Sequence, residues 1–67
     1  MNDKMNDPYL NEYIIFDACK QYGVEFADVR DAAFAGRISY RSHLNSRGSE
    51  VYTFRRGDVI KFAEGLN

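Results

Sequence analysis

The apolar residues of this chain change their period at Gly36, and no other feature constrains the fold as much. Before Gly36, Leu10, Ile14, Ala18 and Tyr22 recur every four residues, and Phe26, Val29 and Ala33 every three or four. That spacing gathers side chains on one side of a helix. After it, Ile38 and Tyr40 alternate with Ser39, Arg41 and His43, and Tyr52 and Phe54 alternate with Val51, Thr53 and Arg55. A period of two belongs to a strand. Between the two alternating runs lies Asn45-Ser46-Arg47-Gly48-Ser49, rich in turn formers, so the runs close into a β-hairpin. From Asp58 to Glu64 the helical spacing returns with Val59, Phe62 and Ala63, and Gly65 follows. The predicted class is α+β, mostly α, in the order helix, helix, β-hairpin, helix.

The local signals agree with this order. Asp7 is a good N-cap, and Pro8 sits at the first helical position, where a missing N–H costs nothing. From there the pattern predicts about four turns of helix to a stop at Gly23, with Tyr13–Phe16 as an alternative short extended lead-in. A second helix runs from Glu25 to Ala35 and stops at Gly36. Residues 1–7 have no apolar periodicity and are expected to form a flexible tail, leaving residues 8–67 as a single domain. With 67 residues there is room for one small core. Its expected members are Leu10, Ile14, Ala18, Cys19, Tyr22, Val24, Phe26, Val29, Ala33, Ile38, Tyr40, Tyr52, Phe54, Val59 and Phe62.

Several function classes are disfavoured at once. No apolar run exceeds the four residues of Tyr13–Phe16, too short to span a membrane, and no secretory signal is visible. One cysteine and one histidine suit neither a disulfide nor a zinc site, so a reducing, cytoplasmic location without a metal is expected. The glycines are scattered single stops and form no phosphate-binding loop. Cys19 lies on the apolar side of its helix, as a buried hydrophobe would. The sequence therefore predicts no enzyme, no cofactor and no small-molecule substrate.

Charge is nearly balanced overall, at −1, but unevenly placed. Residues 1–28 carry two lysines against six acids, a net −4. Between Arg37 and Arg56 there are five arginines and one acid, a net +4, together with His43. Such asymmetry suits a directional charged partner. The arginines fall on and around the hairpin, where guanidinium forks can meet phosphates in bidentate fashion, and Asn45 near its tip suits sugar or phosphate oxygens.

Asp17-Ala18-Cys19, Tyr22-Gly23-Val24, Val29 and Gly36-Arg37-Ile38 resemble the helix–turn–helix of excisionase and MerR-type DNA-binding domains. Tyr52-Thr53-Phe54-Arg55-Arg56-Gly57-Asp58-Val59, with Phe62, is similar to that family's wing return and final helix. The resemblance covers about 50 of the 67 residues in order and spacing, although each motif alone is a core-forming signature. It implies a single winged helix–turn–helix domain of phage or mobile-element type. Its function would be that of a recombination directionality factor or small transcriptional regulator bound to double-stranded DNA, self-associating there on repeated sites. The second helix would enter the major groove and the wing would meet adjacent phosphates. The DNA-contacting set would be Arg30, Arg37, Arg41, His43, Asn45, Arg47, Arg55 and Arg56.

One stretch departs from the family pattern. Where a serine, an arginine and a threonine are usual after the turn, this chain has Glu25-Phe26-Ala27-Asp28. At 100° per residue, the face opposite Phe26, Val29 and Ala33 carries Ala27, Asp28, Asp31, Phe34 and Ala35. Two carboxylates approaching a polyanion cost affinity. The alternative reading is a protein-binding module, an inhibitor or adaptor on a winged-helix scaffold, that meets a host or phage protein through Asp28, Asp31 and Phe34.

Overall fold

The structure, a computed structural model, describes residues 7–65. Apart from Asp7, the predicted tail at residues 1–7 lies outside the described residues. Among the described residues the chain forms four short helices and a three-stranded antiparallel sheet in the order β1-β3-β2.

Helix α1 (Pro8–Asn11) starts as expected, with the Asp7 carboxylate accepting the Tyr9 N–H at 2.9 Å. It ends after one turn, which corrects the expected four-turn helix. Glu12 takes an extended conformation, and Tyr13–Ile15 become a strand, β1. Tyr13, Ile14 and Ile15 pair with Arg55, Phe54 and Thr53. Sheet pairing satisfies the backbone here and sets Ile14 opposite Phe54, both of them buried. The four-residue spacing of Leu10, Ile14 and Ala18 is thus met by a helix, a strand and a second helix in succession.

Helix α2 (Phe16–Cys19) tightens into a 3₁₀ turn (Lys20–Tyr22) and stops at Gly23, whose φ of 77° suits glycine. Helix α3 (Phe26–Phe34) ends in a Schellman motif: Gly36 donates to Ala33 O at 3.0 Å and Arg37 to Ala32 O at 2.8 Å. Strands β2 (Tyr40–Leu44) and β3 (Glu50–Arg55) form the predicted hairpin, and α4 (Arg56–Ala63) follows without a break. Asn45 organises the hairpin tip. Its Oδ1 accepts from Arg47 N at 2.9 Å and Ser49 N at 3.0 Å, and its carbonyl accepts the Gly48 N–H.

The core comprises Ile14, Cys19, Val29, Ala32, Ala33, Ile38, Phe54 and Val59, with Phe16, Ala18, Tyr22, Val24, Tyr52 and Phe62 against it. Two expected core residues are instead exposed: Phe26 at 42% and Tyr40 at 40%. Ala32 takes the inward position on α3 that the spacing had given to Phe26. No helix among the described residues is long and apolar enough to cross a membrane.

Candidate nucleic-acid interface

Helix α3 follows α2 and its 3₁₀ extension after a turn at Gly23–Glu25 and buries Val29, Ala32 and Ala33. Its other side, Ala27, Asp28, Asp31, Phe34 and Ala35, is exposed. Arg30 does not project freely from it. Its Nε and Nη2 both donate to Asp31 Oδ1 at 3.1 Å, and its guanidinium lies 5.7 Å from the centre of the Phe26 ring. One of the two outward carboxylates therefore has a cation beside it. Just past the helix, Arg37 is exposed and borders a shallow depression shared with Asp28, Asp31, Ala32, Ala35 and Phe62.

The hairpin register sorts its side chains between two faces. Tyr40 and Ser42 stand opposite Phe54 and Tyr52, on the face turned to the core. Arg41 and His43 stand opposite Thr53 and Val51, on the face turned away from it. There Arg41 covers the Tyr13 ring at 4.1 Å. Arg47 is exposed at the tip. Asn45, expected to reach sugar or phosphate, uses its Oδ1 to hold the tip turn.

Arg55 and Arg56 occupy a different setting from the rest of the predicted set, at the start of α4. Arg55 donates to Asn11 Oδ1 from Nε at 3.0 Å and Nη2 at 2.6 Å, and to Asp58 Oδ1 from Nη1 at 2.7 Å. Asp58 Oδ2 in turn accepts the Ser39 N–H at 2.8 Å. Arg56 donates to Tyr9 O at 3.0 Å and Glu12 Oε1 at 2.7 Å, with its guanidinium over the Tyr9 ring at 4.1 Å. The Glu12 carboxylate raises its pKa further, so it stays charged. Both side chains are largely shielded, at 25% and 11% exposure. They clamp α1 and the start of β2 onto α4. Among the described residues, ion pairs involve Lys20, Arg30, Arg55 and Arg56. Arg37, Arg41 and Arg47 have no carboxylate partner there, and they and His43 are exposed.

Phe34 projects outward at 56% exposure and meets Tyr40 and Tyr52 edge-on at 5.6 and 5.9 Å. Tyr40 and Tyr52 are 6.0 Å apart, so the three rings form one cluster where α3 meets the hairpin. Of the two tyrosines the sequence assigns to the core, Tyr52 packs against it and Tyr40 is exposed. Cys19 is fully buried, its Sγ donating to Ile15 O at 3.5 Å, and burial pushes its pKa up to about 11. A neutral thiol without access is no nucleophile. Among the described residues no three His, Cys, Asp or Glu side chains gather closely enough to hold a metal ion.

Comparison of the chain with protein-family models, curated proteins and solved structures returns no match.

Proposed function

We propose that this chain is a non-catalytic winged helix–turn–helix domain that binds double-stranded DNA, as an excisionase-like directionality factor or a small transcriptional regulator. One observation carries the reading: Arg37, Arg41 and Arg47 lie exposed and, among the described residues, without carboxylate partners at the exit of α3 and along the hairpin beside it. The order α1-β1-α2-α3-β2-β3, with β3 between β1 and β2, is compatible with a wing flanking a recognition helix.

Phosphate contact follows from the chemistry of these arginines. An exposed guanidinium with no carboxylate partner exchanges water and counterions for phosphate oxygens without first breaking an ion pair. Helix α3 contributes less. Asp31 already has Arg30 beside it, and Asp28 can accept from a cytosine amino group but repels phosphate. Affinity in this account comes mainly from the backbone, base readout is sparse, and occupancy of a site requires several copies on repeated sequences.

The test is fluorescence anisotropy of Arg41→Ala and Arg47→Ala against duplexes of different sequence. Each variant is expected to weaken binding to all of them and to lower the salt slope by about 1. Unchanged affinity and slope in both variants would refute the proposal.

A further inference from the structure

On the opposite edge of the sheet from β2 the surface is apolar and acidic instead of basic. Strand β1 ends at Ile15, opposite Thr53, so Glu50, Val51 and Tyr52 have a strand neighbour on the β2 side only. A groove runs beside this open stretch, lined by Ile15, Phe16, Phe26, Val51 and Tyr52, with the carboxylates of Asp17 and Glu50 on it and no cationic side chain in its lining. Ile15 is 48% exposed. Phe16 and Phe26 meet edge-on at 5.3 Å, which holds both rings in place. Through Tyr52 the groove continues into the Phe34–Tyr40–Tyr52 cluster. Exposed aromatic rings are the usual anchors of protein contacts.

The two carboxylates decide what fits. Duplex DNA would bring phosphates against Asp17 and Glu50, and the cations nearby, Lys20 and Arg30, are already engaged with Asp17 and Asp31. A cationic side chain meets the reverse. Lys20 lies 3.4 Å from Asp17, but both are exposed, and such a pair exchanges readily for an incoming cation. Glu50 accepts only the Tyr52 hydroxyl among described side chains, at 3.1 Å. The unpaired flank of β3 adds backbone donors and acceptors suited to an extended segment.

We infer that this groove docks an extended segment of a partner protein, one that sets an apolar side chain between the rings and places a lysine or arginine beside Asp17 and Glu50. The segment lies along the Glu50–Tyr52 flank of β3. The site is independent of the proposed DNA contacts, because Arg37, Arg41 and Arg47 take no part in it.

The experiment is an amide chemical-shift titration of the whole chain with two pentapeptide amides, one alternating lysine with leucine and one alternating glutamate with leucine. The lysine peptide is expected to move resonances of Ile15–Asp17, Phe26 and Glu50–Tyr52, and the glutamate peptide to bind at least about tenfold more weakly. Asp17→Asn combined with Glu50→Gln, which keeps an acceptor for the Tyr52 hydroxyl, is expected to abolish that preference with an unchanged melting curve. Equal binding of the two peptides, or shifts centred on other residues, would overturn the inference. Movement of the same resonances on raising the protein concentration alone would assign the groove to a second copy, and movement of Ile15–Asp17 and Phe26, which lie outside the hairpin, with a duplex would assign it to nucleic acid; either result also overturns it. Because neither peptide tests the hairpin arginines, failure here leaves the DNA proposal standing, and failure of the DNA proposal leaves this one.

Discussion

Asp58→Ala tests whether the clamp around Arg55 carries a large share of the stability. Asp58 lies in the first turn of α4 and accepts two hydrogen bonds, from Ser39 N at 2.8 Å and from Arg55 Nη1 at 2.7 Å. The carboxylate side chain is 19% exposed. Loss of a charge-assisted bond to the N–H of Ser39, an exposed residue, costs about 1.5 kcal/mol, the low end for such bonds. The Arg55 pair is 25% exposed on the arginine side, so solvent screening reduces its share to about 1 kcal/mol. Removing a negative charge from a helix start costs about 0.5 kcal/mol more. The expected loss is therefore near 3 kcal/mol, and a domain of this size loses about 4–8 °C of Tm for each kcal/mol. Asp58→Asn keeps one acceptor and is expected to cost about half as much. Far-UV circular dichroism during heating and in urea reads both variants. A loss below about 0.5 kcal/mol for Asp58→Ala, or equal losses for the two variants, would refute the reasoning.

Other perturbations probe separate parts of the account. Gly36→Ala places a Cβ in open space at a φ of 88°, so its cost is backbone strain alone, about 1 kcal/mol by urea denaturation. Phe34→Ala removes an exposed ring with edge contacts only and is expected to cost about 0.5–1.5 kcal/mol, leaving a cooperative melt; a loss above about 3 kcal/mol would mean that the ring is buried. The Cys19 thiol, raised from 9.0 to about 11 by burial, stays protonated in the folded chain while the unfolded chain loses its proton. Stability then falls as pH rises between those values, by at most about 1.4 kcal/mol per unit. Denaturation of Cys19→Ala across the same range should show a shallower decline, and identical slopes would contradict it.

Local signals made much of this fold legible. The Asp7-Pro8 start, the stops at Gly23 and Gly36, and the turn at Gly48 are each set by residues within a few positions, and all lie where the sequence puts them. Strand β1 was legible only as the alternative extended reading of Tyr13–Phe16, because its residues fit a helical spacing equally well, and only pairing with β3, about forty residues later, decides between them. Distance also concealed the fates of Arg55 and Arg56. As charges they looked alike with Arg41 and Arg47, yet Asn11 and Glu12, 44 positions away, draw them inward. The groove at Ile15 could not be read from the sequence for the same reason: it exists only because a three-residue strand leaves half of β3 uncovered.

The most direct measurement is fluorescence anisotropy of the unmodified chain with a mixed-sequence duplex at two salt concentrations. The account predicts micromolar binding at low salt that weakens steeply as salt rises, with a slope set by the phosphates that Arg37, Arg41 and Arg47 meet. No binding at low salt, or binding indifferent to salt, would contradict it.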